Sequence, residues 1–279
     1  MSKYFTKATF AVLIMAIAWP SVADDSRFTD LPGDPELRSA SAIVLDAHGN
    51  LIYGKDVDTV RPIASITKLM TAMVVLDAEL DLDETIIIAD DDRDRIRMTG
   101  SRLGVGTTLA RRDLLLLALM SSENRAATAL GRTYPGGMDA FVEQMNSKAA
   151  SLDMHDSRFA DPAGLDAANV STASDLARML AAAHQYPLIT ASTTTPDWEV
   201  RPSNKSGPLT FINTNRLLKS SNWHIDLSKT GYINEAGRCL VMHASIEGEE
   251  VSIVLLNSFG KLTPFGDSNR LRKWMLANG

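Results

Sequence analysis

Ser65-Ile66-Thr67-Lys68, running into Leu69-Met70-Thr71-Ala72-Met73-Val74-Val75-Leu76, decides how this chain is read. The apolar run predicts a buried helix over 65–79. Residues three apart share a helix face, about 5–6 Å between Cβ atoms. The Lys68 amine can therefore reach the Ser65 hydroxyl. A serine is a weak nucleophile until a neighbouring base takes its proton, and an unprotonated lysine is such a base. If Ser65 stands at the helix start, backbone N–H groups there face the reacting atom. They favour negative charge, as on an oxyanion. Alone, the S-x-x-K spacing occurs by chance in many helices, so its meaning depends on the rest of the chain.

Two further short motifs lie downstream. Ser122-Glu123-Asn124 comes after the apolar stretch Leu114 to Met120, and Lys229-Thr230-Gly231 precedes strand-like sequence. Taken singly, Ser122 reads as a cap or loop hydroxyl and Lys229 as a solvated edge-strand lysine. Taken together, S-x-x-K, S-x-N and K-T-G in this order form the signature of penicillin-binding proteins and serine β-lactamases. The chain resembles the low-molecular-mass penicillin-binding proteins, the D-alanyl-D-alanine carboxypeptidase and endopeptidase family of serine peptidases. Gly106-Thr107-Thr108-Leu109 with Asp113-Leu114-Leu115 resembles that family's entry into the second-motif helix. Phe159, Asp161-Pro162 and Gly164-Leu165 resemble a later loop. Ser171-Thr172-Ala173 resembles a helix start, and Asn213-Thr214-Asn215 the segment before the third motif. The resemblance covers roughly residues 36 to 262, with no departure at the three motifs.

The resemblance implies a role for each motif residue. Ser65 attacks a carbonyl and carries the acyl group, and Lys68 takes its proton. Ser122 relays a proton to the leaving amine, since a hydroxyl both donates and accepts. Asn124 orients Lys68 and bonds the substrate amide. Lys229 and Thr230 hold a substrate carboxylate, and Gly231 lets the substrate backbone approach a strand edge. The N–H groups of Ser65 and Tyr232 form the oxyanion hole. A free lysine has a pKa of about 10.4, so Lys68 must be lowered, by desolvation and by the charge of Lys229. No cofactor or metal is implied. His48, His155, His184, His224 and His243 are scattered, with no pair at the spacing of a metal-binding helix, which disfavours a zinc peptidase.

The pattern along the chain gives an α+β fold in two lobes, and the resemblance implies that it is of the β-lactamase and transpeptidase type. Ser41 to Asp46 and Leu51 to Lys55 read as a hairpin around Gly49-Asn50, and Ile86-Ile87-Ile88 as a short strand. The alternating charges of Asp90 to Arg97 read as a solvated face or loop. Residues 111–190 are helix-rich, and 191–223, with Pro196, Pro202 and Pro208, read as loop. Residues 226–258 read as three strands and 266–277 as a final helix packed by Leu271, Trp274 and Met275. An antiparallel sheet lobe from both chain ends (about 36–90 and 200–279) would then carry an inserted helical lobe (about 91–199).

Lys3, Lys7, the apolar segment Ala8 to Ala18 and Ser21-Val22-Ala23 read as a cleavable secretory signal over 1–23, leaving a single domain over 24–279. This predicts a periplasmic protein with no integral membrane segment after cleavage. The net charge of −6 argues against nucleic acid as a partner. Cys239 is the single cysteine, so no internal disulfide forms, and its apolar neighbours make it a packing residue. The partners implied by the resemblance are peptidoglycan stem peptides, with β-lactams as acylating inhibitors.

The chain ends about fifty residues after Lys229, room for the remaining strands and one helix. Many carboxypeptidases of the family carry a further C-terminal domain and a membrane-binding helix. The expectation is therefore the endopeptidase type, hydrolysing the D-alanyl–diaminopimelate cross-link. A carboxypeptidase trimming terminal D-Ala is the alternative. A class A serine β-lactamase deacylates with a glutamate between the second and third motifs, and here Glu143 and Glu199 stand in no E-x-x-L-N pattern. A muropeptide-binding protein without activity would not require Lys68.

Overall fold

The structure, a computed structural model, describes residues 26–202 and 207–279. The expected leader, 1–23, lies outside the described residues. Strands β1 (Ser39–Asp46) and β2 (Leu51–Lys55) form the expected hairpin. Strand β3 (Arg61–Pro62) leads into a 3-10 turn, Ala64–Ile66, and helix α1 (Thr67–Asp77). Strands β4 (Thr85–Ile87) and β5 (Thr108–Ala110) pair with each other. Helices α2 (Arg111–Met120), α3 (Asn124–Arg132) and α4 (Gly137–Ser151) come next. Strand β6 (Val170–Ser171) returns to pair with β3. Helices α5 (Ala173–His184) and α6 (Pro187–Thr194) precede a hairpin of β7 (Asp197–Val200) and β8 (Leu209–Ile212). The chain closes with β9 (His224–Ile233), β10 (Gly237–Ile246), β11 (Glu249–Ser258) and α7 (Thr263–Asn278).

The main sheet is antiparallel, in the order β2-β1-β11-β10-β9. Its central strands are buried on both faces, which is why they read as continuous apolar runs rather than alternating ones. Period-two alternation nonetheless sorts their side chains between two cores. Ile43, Val241, Val254 and Leu256 join the helical core with Leu69, Met70 and Met73 of α1. Ala42, Val44, Met242, Ile253 and Leu255 face the other way, against Leu271, Trp274 and Met275 of α7. The terminal helix is thus packed on the sheet.

Every residue of α1 from Thr67 to Val75 is buried, and no side chain caps its start. Packing holds it: each large apolar side chain fully buried contributes about 1.5–3 kcal/mol. Other helices start on explicit signals. Thr172 caps α5 by accepting from Asp175 N at 3.0 Å, and Pro187 opens α6.

Two local expectations are corrected. The stretch 191–223 is not all loop, because it holds the end of α6 and the β7–β8 hairpin. Pro196, Pro202 and Pro208 lie just outside these strands, where proline is tolerated. Asp90 to Arg97 is not wholly solvated. Asp92 is buried against Arg132, at 2.8 Å from its Nε. Asp94 is buried as well, and accepts from Ile96 N, Arg97 N and Thr99 N. Among the described residues no helix is long and apolar enough to cross a membrane.

Candidate active site

The three motifs meet in one cleft of about 390 Å³, lined by Ser65, Ser122, Asn124, Thr230, Gly231 and Tyr232 among others. Ser65 lies in the 3-10 turn at the mouth of α1, half-buried, with Lys68 one turn further on and wholly buried. Ser122 sits between α2 and α3. Lys229, Thr230, Gly231 and Tyr232 belong to β9, an outer strand of the sheet.

Lys68 Nζ has three partners: Ser65 Oγ at 2.8 Å, Asn124 Oδ1 at 2.8 Å and the carbonyl oxygen of Ala163 at 2.6 Å. The two carbonyl oxygens can only accept. A neutral amine therefore spends its two N–H groups on them and turns its lone pair to the Ser65 hydroxyl. Burial pushes the Lys68 pKa down to about 8, outweighing the carboxylates of Asp161, Glu123 and Asp94, which favour the charged form. Lys229 is also held well below the usual lysine range, first by burial and then by the charge of Lys68. The repulsion between the two amines, expected to bear on Lys68, is thus seen at Lys229.

Lys229 Nζ donates to Ser122 Oγ at 3.0 Å and to the Thr230 carbonyl at 3.0 Å. This links the second and third motifs. Thr230 Oγ1 donates to Thr214 Oγ1 at 2.7 Å. Tyr232 is exposed, its hydroxyl donates to Asn234 Oδ1 at 2.9 Å, and the Arg238 guanidinium lies 3.6 Å over its ring.

Gly231 serves a purpose that the sequence did not show. A Cβ there would come within 2.8 Å of the Ile63 carbonyl oxygen and 3.2 Å of Ser65 N. The turn that carries Ser65, not only a ligand, needs the close approach. Two non-glycine residues of the site hold left-handed backbone, Ala64 at φ 50° and Ser122 at φ 59°. Such conformations cost about 1–3 kcal/mol each and persist where surrounding structure enforces them.

Several supporting residues escaped sequence reasoning. The Asp161 carboxylate gathers the N–H groups of Ala163 and Gly164 at 2.7 Å and of Asp166 at 2.8 Å, folding the loop that presents the Ala163 carbonyl to Lys68. Its Asp-Pro turn cue was visible, but not its target. Asn124 Nδ2 donates to Thr99 Oγ1 at 3.0 Å, and Thr99 Oγ1 donates to Asp94 Oδ2 at 2.6 Å. Since Asp94 can only accept, Thr99 must accept from Asn124, which turns the Asn124 oxygen to Lys68. Burial raises the Asp94 pKa, but hydrogen bonds from Arg97 and Thr99 hold it below the ordinary carboxylate value. Glu123 caps α3, accepting from Ala126 N at 2.7 Å and from Ser101, while burial pushes its pKa up. Cys239 borders the cleft, but burial raises its thiol to about 11, which leaves it unreactive.

The family model described as D-alanyl-D-alanine carboxypeptidase matches residues 29–260. The chain belongs to that family of serine peptidases. It is 49% identical over 264 residues to a D-alanyl-D-alanine endopeptidase of Pseudomonas aeruginosa, covering 94% of this chain and 85% of the relative. It is 45% identical over 277 residues to the D-alanyl-D-alanine endopeptidase of Escherichia coli, covering 99% and 89%. The Streptomyces K15 DD-transpeptidase superposes with a TM-score of 0.80 at 27% identity, over 88% of this chain and all of that one. The α+β fold is thus the transpeptidase-like one, and the chain is a serine-type D,D-peptidase.

Glu143 on α4 and Glu199 on β7 are both exposed, and neither borders the cleft. No deacylating glutamate of the β-lactamase kind is supplied by either position.

Proposed function

We propose that this chain is a D,D-endopeptidase that hydrolyses D-alanyl–diaminopimelate cross-links in peptidoglycan through an acyl-enzyme on Ser65. The observation that carries the chemistry is the three-contact geometry of Lys68, which holds its amine 2.8 Å from the Ser65 hydroxyl, within reach of the proton once the amine is neutral. Lys68 takes the Ser65 proton as Oγ attacks the D-alanyl carbonyl. The N–H groups of Ser65 and Tyr232 receive the developing oxyanion, and each such donor is worth about 2.7–4 kcal/mol in the transition state. Ser122 passes a proton to the leaving amine, and Lys229 resupplies Ser122 across their 3.0 Å contact. Water then attacks the ester: Lys68 returns its proton to the departing Ser65 Oγ, and the proton lost by the water restores Lys229 by way of Ser122, releasing the acyl peptide.

The carboxylate beside the scissile amide binds Lys229 and Thr230. Its arrival favours the ammonium form of Lys229, whose charge in turn keeps Lys68 neutral. The cleft also presents Arg216, Arg238 and Lys261, none of which makes an ion pair among the described residues. In a chain of net charge −6 this cationic rim suits a substrate carrying several carboxylates, as a cross-linked stem-peptide dimer does. Endopeptidase names on relatives matched over 85% and 89% of their length support the subtype. We place the mature enzyme, residues 24–279, in the periplasm after loss of the leader.

Digestion of purified cross-linked muropeptides tests the reading. Dimers should become monomers, and Ser65→Ala should leave them intact. If the enzyme only shortens monomeric pentapeptides to tetrapeptides, the carboxypeptidase alternative holds instead.

A further inference from the structure

His184, Asp226 and His243 come from the last turn of α5, from β9 and from β10, and one ligand atom from each lies within 4.8 Å of the others. None borders the cleft. Asp226 stands three residues before Lys229, about 10 Å along the strand. His243 is 7% exposed, and its Nδ1 has no hydrogen-bond partner. That nitrogen lies 3.5 Å from Asp226 Oδ2. The His184 and His243 rings are stacked, with centroids 3.9 Å apart and planes at 23°.

We propose that these three residues form a binding site for one divalent transition metal of the zinc class. The clustering of the three donor atoms within 4.8 Å is the decisive feature, together with a buried His243 Nδ1 whose nearest acceptor, Asp226 Oδ2 at 3.5 Å, is too far for a well-formed hydrogen bond. Leaving a buried polar group unmatched costs about 1–3 kcal/mol, and a metal ion would take its lone pair directly. Two imidazoles and one carboxylate are the donor set that zinc accepts, with bonds of about 2.0–2.2 Å. The opposite nitrogen of His243, Nε2, faces Glu250 Oε2 at 3.9 Å. With an ion between Nδ1 and Asp226, the Nε2–H would face this carboxylate, the usual outer partner of a metal-bound histidine. His243 is fixed in the sheet, whereas His184 is only half-buried and can swing its ring out of the stack to close on the ion. His224, whose Nε2 lies 3.9 Å from Asp226 Oδ1, is placed to complete the set, with water as the alternative. The bound ion would clip the end of α5 to the strand that carries Lys229, Thr230 and Gly231, raising stability by binding the folded state alone.

The test is calorimetric titration of the purified, metal-stripped chain, free of any histidine tag, with Zn²⁺ alone. Absorption spectra with Co²⁺ serve as a second readout. One equivalent should bind, with a tetrahedral-type Co²⁺ spectrum and a higher melting temperature. His184→Ala and Asp226→Asn should each weaken binding by about tenfold or more. Both should keep normal penicillin labelling of Ser65, which shows that they are folded. His155→Ala, exposed and elsewhere, should bind as the unaltered chain does. Absence of stoichiometric binding, or unchanged affinity in both His184→Ala and Asp226→Asn, overturns the site and leaves the peptidase reading untouched.

Discussion

A Cβ added to Gly164 would lie 2.0 Å from the carbonyl oxygen of Ala64 and 2.4 Å from its carbonyl carbon. Gly164 also has a φ of +73°. It therefore presses the Asp161 loop onto Ala64, the residue that precedes Ser65. The pressed carbonyl also accepts from Thr67 Oγ1 at 2.7 Å, so Ala64 is held in its left-handed conformation from two sides.

Gly164→Ala should therefore displace the loop, and with it the Ala163 carbonyl that orients Lys68. We expect a loss of stability of at least about 1–3 kcal/mol from the backbone strain alone. Penicillin acylation of Ser65 should slow far more than this stability loss explains. Thermal melts and a labelled-penicillin time course measure the two separately. Normal acylation in a folded Gly164→Ala protein would show that the loop does not position the base.

The pH dependence of acylation is set by Lys68, whose pKa is lowered to about 8 mainly by burial. The reactive form is the neutral amine, so its fraction grows as pH rises. Acylation should increase about tenfold per unit below about pH 8 and level off above it. Lys68→Arg keeps the charge but stays protonated at any accessible pH, so it should lose activity by orders of magnitude with no recovery on the alkaline side. Stopped-flow acylation from pH 6 to pH 9, the range of about one unit or more either side of the midpoint, decides this. A flat profile would mean that another group is the base.

The three motifs that meet in the cleft were legible because each is a short, contiguous run of sequence. None declares itself alone, but S-x-x-K, S-x-N and K-T-G in that order carry a shared meaning. The supporting groups were not legible, because each acts across the chain. Asp94 sits in a run of alternating charge that reads as solvated, yet it is buried and steers Asn124 through Thr99. Asp161 reads as a turn aspartate, and only the folded loop shows whose carbonyl it presents. The β7–β8 hairpin hid behind three prolines that flank its strands. His184, Asp226 and His243 have no common spacing, since three separate elements bring them together.

The Asp94–Thr99–Asn124 chain gives a third prediction. Asp94→Asn can donate as well as accept, so the direction of the Thr99 hydroxyl is no longer fixed. Asn124 can then present either end of its amide to Lys68. Acylation should fall by about ten- to a hundredfold, the scale of losing one charge-assisted orienting bond of about 1.5–3 kcal/mol. The pH midpoint should also move down, because one of the carboxylates that favour the charged Lys68 is gone. A slower reaction with an unmoved midpoint would assign Asp94 to the loop fold alone.

Ser122 allows function and strain to be separated. Its hydroxyl accepts from Lys229, and its backbone sits at φ 59°. Ser122→Ala and Ser122→Gly both delete the hydroxyl, so both should lose leaving-group protonation to a similar degree. They differ only in backbone tolerance, since glycine enters the left-handed region without steric cost. Ser122→Gly should therefore be the more stable variant, by about 1 kcal/mol after its larger unfolded-state entropy is subtracted. Denaturant melts of the pair measure the difference, and turnover of cross-linked muropeptides checks the common loss. Equal stability would mean that the left-handed turn carries no strain. Unequal turnover would mean that the backbone there, and not only the hydroxyl, takes part in delivering the proton.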